Sequence, residues 1–66
     1  MELLINGQPR TFPDAISIAQ LLHELSLHTS RVAVEVNQDV VSRKTFDSAT
    51  LRDGDRIEIV TFVGGG

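Results

Sequence analysis

The 66-residue chain contains no cysteine. Disulfide staples, thiolate metal sites and cysteine nucleophiles are therefore excluded together. Basic residues are few: six Lys and Arg stand against nine Asp and Glu, for a net charge of −3. Such a balance argues against sequence-independent nucleic-acid binding, which needs clustered cations to neutralise phosphates. It argues equally against an anionic membrane surface. Lysine occurs once, at Lys44, so chain building through several lysines has no substrate here. Long apolar runs are missing as well. The opening Met1-Glu2-Leu3-Leu4-Ile5-Asn6 carries no basic leader, and its apolar stretch is far shorter than a signal-peptide core or a membrane span. The expectation is a cytoplasmic domain, with no nucleic-acid or membrane partner.

What is present reads as one small folded unit. A hydrophobic fraction of 41% and a charged fraction of 23% are ordinary for a globular domain. At about 60 residues a domain buries only about 60% of the surface its unfolded chain exposes. A second core, or a deep active site, does not fit.

Leu3-Leu4-Ile5 is followed by Asn6-Gly7 and a second extended segment, Gln8 to Phe12. This pattern signals a hairpin, because both central turn residues need positive φ. Alternation puts Leu3 and Ile5 on one face and Glu2 and Leu4 on the other. Pro9 has no N–H to give, so the second strand belongs at an edge. Ser17 opens a helix in which Ile18, Leu21, Leu22 and Leu25 form one apolar stripe, and Ser17 with Gln20 matches a capping box. Val32, Val34 and Val36 alternate with Ala33 and Glu35, as in a half-buried strand. Asn37-Gln38 turns the chain into Asp39-Val40-Val41. Residues 42–50 show no period and are expected to wrap the sheet edge, anchored by Phe46. Asp53-Gly54-Asp55 reads as a second tight turn. A last strand, Arg56 to Phe62, then runs into Val63 and three glycines. A hairpin, one helix and further strands make an α+β domain: a mixed sheet of four to five strands with one helix across one face. The expected division is a domain at 1–63 and a flexible tail at 64–66.

Catalytic constellations are weak. His23 and His28 are five apart and do not share a helical face, and no acidic residue completes a metal set. The serines lack a nucleophile elbow, and Ser17 is accounted for as a cap. Asp53 and Asp55 flank a turn glycine, as turn residues do. Neither Asn6-Gly7 nor Asp53-Gly54 has the glycines and helix start of a phosphate loop.

The chemistry then falls to Gly64-Gly65-Gly66. Without Cβ atoms these residues can pass through a narrow channel against another backbone. Residues 63–66 fully extended reach roughly 13–14 Å. A terminal glycine also leaves its carbonyl carbon unhindered, so an acyl-adenylate formed there meets no side chain. In the last strand Ile57 and Ile59 share one face. Val60 and Phe62 continue on the Glu58 side and face solvent. Two exposed apolar residues beside a tail form a candidate docking patch.

Several segments, in this order, resemble the ThiS family of thiamine-biosynthesis sulfur carriers, which are ubiquitin-like. They are Leu3-Leu4-Ile5-Asn6-Gly7, the Ser17-to-Leu25 helix, and Val34-Glu35-Val36-Asn37 with Val40-Val41-Ser42-Arg43. Leu51-Arg52-Asp53-Gly54-Asp55-Arg56-Ile57-Glu58-Ile59 and the glycine tail complete them. The resemblance implies a β-grasp fold with the first and last strands as parallel central neighbours. It implies that the Gly66 carboxylate is the working group; Gly64, Gly65, Val60 and Phe62 are the residues expected, from the reading above, to meet the partner. It implies a ThiF-type adenylating enzyme using Mg-ATP, a sulfur donor fed by a cysteine desulfurase, and a thiazole synthase that takes the sulfur. The chain itself would bind no cofactor and would be a cosubstrate, not an enzyme. Family members often have proline where this chain has Ser42, and tryptophan where it has Phe46. Two alternatives stay open at this point: a carrier of the molybdopterin synthase small-subunit type, and a non-covalent ubiquitin-like binding module.

Overall fold

The computed structural model describes residues 1–62. Its chain runs β1 (Glu2–Ile5), β2 (Gln8–Thr11), α1 (Ile18–Glu24), β3 (Val32–Val36), β4 (Asp39–Val41) and β5 (Arg56–Thr61), with short 3-10 turns at Thr29–Arg31 and Arg43–Thr45. The five strands form one sheet in the order β2-β1-β5-β3-β4. β1 and β5 are parallel, and the other neighbouring pairs are antiparallel. This is a β-grasp architecture, with the first and last strands side by side inside the sheet.

Each element follows from local chemistry. Asn6 and Gly7 take φ of 49° and 82°, the left-handed pair that a two-residue hairpin requires. Pro9 sits opposite Leu4 on the outer strand. The ladder bonds alternate from the Phe12 N–H to Met1 carbonyl contact, so the N–H that Pro9 lacks would point away from the sheet. Asn37 and Gln38 also both have positive φ and close the β3–β4 hairpin without any glycine.

α1 begins with every early donor satisfied. The Ser17 N–H donates to Gln20 Oε1 (2.8 Å), and the Gln20 N–H donates to Ser17 Oγ (3.1 Å). The next two donors are met from outside the helix: the Ile18 N–H by the Ala49 carbonyl and the Ala19 N–H by the Phe46 carbonyl. Residues 42–50 therefore do more than line a sheet edge. They cross the start of the helix and supply the acceptors its first turn would otherwise lack. Phe46 is buried there, as expected of an anchor. A seven-residue helix is marginal alone in water, and this one is held by Ile18, Leu21 and Leu22, all fully buried against the sheet. Leu25, the fourth member of the expected stripe, is the C-cap residue and only half-buried.

The core lies between α1 and one sheet face. Leu3 and Ile5 come from β1, Val32 and Val34 from β3, Ile57 and Ile59 from β5, with Phe46 and Leu51 from the connection. The opposite sheet face has no layer over it among the described residues.

Candidate functional site: the open face and the base of the tail

β5 is the strand that leads to the glycine tail, and it is held from both sides. Toward β3, the Phe62 N–H reaches the Arg31 carbonyl at 2.8 Å, so the ladder continues one residue past the strand's regular end. Toward β1, the Asn6 N–H reaches the Ile57 carbonyl at 2.8 Å. There the β1 backbone turns away into the hairpin, and the Asn6 side chain takes over. Its Oδ1 accepts from the Ile59 N–H (2.7 Å), and its Nδ2 donates to the Ile59 carbonyl (3.1 Å). A primary amide carries the same donor and acceptor as a peptide unit. Asn6 thus adds one more rung to a strand pairing whose backbone has ended.

The start of β5 is fastened by the Asp53-Gly54-Asp55 turn. Asp53 Oδ1 accepts from the Glu2 N–H (2.6 Å), and the Gly54 N–H donates back to the Glu2 carbonyl (2.7 Å). Asp55 accepts from the Arg52 N–H through Oδ2 (2.8 Å) and from Asn37 Nδ2 through Oδ1 (3.0 Å). Both carboxylates are committed to the fold, in keeping with the turn role read from the sequence. Gly54 has φ 87°, which only glycine takes without strain.

Alternation along β5 sends Ile57 and Ile59 into the core and leaves Val60 and Phe62 on the open face, 61% and 53% exposed. Val60 lies opposite Ala33. Val40, 77% exposed, adds a third large apolar side chain to that face from β4. Period-two reading of β5 identified the first two residues. Val40 escaped it because a three-residue strand offers too little pattern to assign a face. Glu58 pairs with Glu35, which in turn pairs with Val40, so behind Val60 and Phe62 the open face carries a row of two carboxylates that ends in Val40.

The remaining sequence candidates are dispersed. His23 and His28 are exposed, and no group of metal-ligating side chains occurs among the described residues. Ser17 and Ser42 each accept a backbone N–H at the start of a helical turn. No described helix is long and apolar enough to cross a membrane. Gly64, Gly65 and Gly66, and the boundary between domain and tail, lie outside the described residues.

Comparison with known proteins agrees with this architecture. The ThiS family model matches residues 3–66. The chain belongs to the ThiS family. A ThiS relative from Bacillus subtilis, named sulfur carrier protein ThiS, is 40% identical over 65 residues, covering 97% of this chain and 98% of its own. A thiazole synthase from Paramagnetospirillum magneticum is 41% identical over all 66 residues, and this chain spans only 20% of that protein's length. Among solved structures, a thiamine biosynthesis protein (ThiS) from Geobacter metallireducens superposes with a TM-score of 0.85 at 38% identity, over 100% of both chains. The ThiS assignment and the β-grasp sheet therefore agree, one from sequence and the other from shape.

Proposed function

We propose that this chain is a sulfur carrier in thiamine (thiazole) biosynthesis and that the Gly66 carboxylate is its working group. One structural observation carries the reading beyond family membership. The strand leading to the glycines is the central one, held by ladders on both flanks, and its last two outward side chains, Val60 and Phe62, are apolar and exposed. A rigid body with a sticky patch at the root of a side-chain-free tail can dock outside a partner while the tail reaches into its active site.

In this reading a ThiF-type adenylating enzyme uses Mg-ATP. The Gly66 carboxylate oxygen attacks the α-phosphorus and displaces pyrophosphate. A sulfur nucleophile, supplied from cysteine by a desulfurase, then attacks the acyl carbon and displaces AMP; hydrosulfide gives the thiocarboxylate directly, whereas a persulfide gives an acyl disulfide that a thiol reduces to the thiocarboxylate. A thiazole synthase consumes that sulfur. The names of the similar thiazole synthases support it as the acceptor. The chain contributes the reacting carboxylate and the docking surface, while its partners supply the catalytic groups. It is a cosubstrate, and since ATP drives the cycle we place it in the cytoplasm. With no cysteine in the chain, a terminal carboxylate is the natural covalent attachment point for sulfur.

The test is intact mass spectrometry of the protein isolated from cells, with fragmentation to locate the change. The expected result is a species ending at Gly66 with one oxygen replaced by sulfur in the last residue. A polypeptide that continues past Gly66 in every isolated form, with no processing, would overturn the reading. Rescue of a thiamine auxotroph assigns the pathway.

A further inference from the structure

The two edges of β5 end at different places. Toward β3, the residues whose backbone groups face the partner are Arg56, Glu58, Val60 and Phe62. The bonds between Asn37 N–H and Arg56 carbonyl, and between Phe62 N–H and Arg31 carbonyl, mark both ends of that ladder. By alternation, Ile57, Ile59 and Thr61 direct their N–H and C=O groups toward β1. β1 serves Ile57 with backbone, and Asn6 serves Ile59 with its side-chain amide. At Thr61 the series stops. Among the described residues nothing is paired with the Thr61 N–H or C=O on that side.

This unpaired rung opens on a cleft. Its volume is about 450 Å³, and Ile59, Thr61, Leu25, Leu27 and Arg10 are among the residues lining it. α1 ends at Glu24, too early to cover the sheet there, which leaves Leu25 and Leu27 half-buried and Thr61 exposed. The cleft combines a backbone donor and acceptor, an apolar floor and a cation at its rim. Those are the requirements for adding a strand: main-chain bonds for affinity and side-chain contacts for choice.

We propose that the β5 edge at Thr61 is a strand-addition site for an extended segment of the adenylating partner. That segment pairs with the Thr61 N–H and C=O, lays an apolar side chain between Leu25, Leu27 and Ile59, and sets an acidic side chain against Arg10. The inference rests on the carrier reading above. The adenylating partner is the occupant favoured because only residues 63–65 lie between Phe62 and Gly66, so whatever acts on the Gly66 carboxylate works within roughly 18 Å of Thr61.

The experiment uses the full 66-residue chain made by chemical ligation, with the Thr61 amide replaced by an ester. The ester oxygen removes the N–H aimed at the cleft; within the β3 ladder it keeps every N–H and only weakens the Val60 carbonyl as an acceptor. A second variant carries the ester at Val60, where the lost N–H belongs to the β3 ladder opposite Ala33 and both Thr61 groups are kept. A third is Arg10→Glu. Each is assayed for ATP–pyrophosphate exchange with a purified ThiF-type adenylating enzyme, alongside thermal unfolding.

The expected result for the Thr61 ester is a KM raised about tenfold, the scale of one lost hydrogen bond, with kcat close to wild type and a small loss of Tm from the weakened Val60 carbonyl. The Val60 ester lowers Tm further and leaves KM unchanged, and Arg10→Glu raises KM. If the wild-type chain supports exchange and the Thr61 ester has the same KM, the strand-addition site is overturned while the carrier reading stands. If the wild-type chain supports no exchange, the carrier reading fails and takes this site with it. A wild-type dimer that the Thr61 ester dissociates, without a change in KM, assigns the edge to a second copy and overturns the partner assignment.

Discussion

Asn6 does two jobs within one residue. Its backbone, at φ 49°, makes the hairpin turn. Its amide pairs with Ile59, 53 positions away, and so ties the turn to the strand that leads to the tail. Replacing it with alanine keeps the chain but leaves the Ile59 N–H and carbonyl without that partner in a part-buried setting. We expect Asn6→Ala to cost about 1–3 kcal/mol, read as a lower midpoint in urea with an unchanged m-value. Asn6→Asp keeps the acceptor and loses the donor, so it should lie between the two; a midpoint equal to wild type for both variants would show that the amide contributes nothing. Gly54 is the other position where one residue decides. Nothing lies within 4 Å of a Cβ added there, so Gly54→Ala meets no clash. Its φ of 87° still opposes a Cβ, and a loss of about 1–2 kcal/mol is expected on the same measurement.

At the scale of elements, α1 and β5 behave differently. α1 is short and takes its terminal acceptors from residues 42–50, so its cap and that connection stabilise each other. Ser17→Ala removes the Gln20 N–H acceptor and should cost about 1 kcal/mol. The Ile18 and Ala19 bonds to Ala49 and Phe46 should keep the helix formed, which far-UV circular dichroism of the variant checks. β5, in contrast, is secured on both flanks and presents function on its outward face. Phe62→Asp places a charge where an apolar ring stands 53% exposed, and nothing in the core depends on that ring. The expectation is a thermal midpoint within a few degrees of wild type and at least tenfold weaker binding to the adenylating enzyme by calorimetry. Unchanged affinity would move the docking patch elsewhere. Val40→Asp tests how far the patch extends toward β4.

For the whole molecule, the parallel pairing of β1 with β5 joins the two ends of the chain in the middle of the sheet. No part of the core is complete until the last strand arrives, so unfolding should be a single cooperative transition, with fluorescence-independent probes such as circular dichroism and amide exchange coinciding. A 66-residue domain has a total stability of about 3–10 kcal/mol. Ile57→Ala, at a fully buried central position, costs about 2–5 kcal/mol and should leave a large unfolded fraction at 37 °C. Deleting Gly65-Gly66 touches none of the described core. That truncation is expected to fold with wild-type Tm and to be inert in adenylation. Wild-type activity in it would remove the basis of the carrier reading.

Much of this was legible along the chain because it depends on near neighbours. Asn6-Gly7 sets its own turn by φ preference, Ser17 and Gln20 cap each other three residues apart, and alternation from Ile57 to Phe62 sorts core from solvent without reference to any partner. The glycine run was visible for the same reason. Other features depend on groups far apart in sequence. The pairing of the Asn6 amide with Ile59, the acceptors that Phe46 and Ala49 lend to the helix, the place of Val40 on the open face and the unpaired Thr61 rung above its cleft all belong to this class. No local pattern encodes which backbone groups remain unpaired once a sheet closes, since that is decided by where each strand stops relative to its neighbours in space. Residue preferences determined the elements and the character of the tail. Packing those elements together determined which edge and which face remain open to a partner.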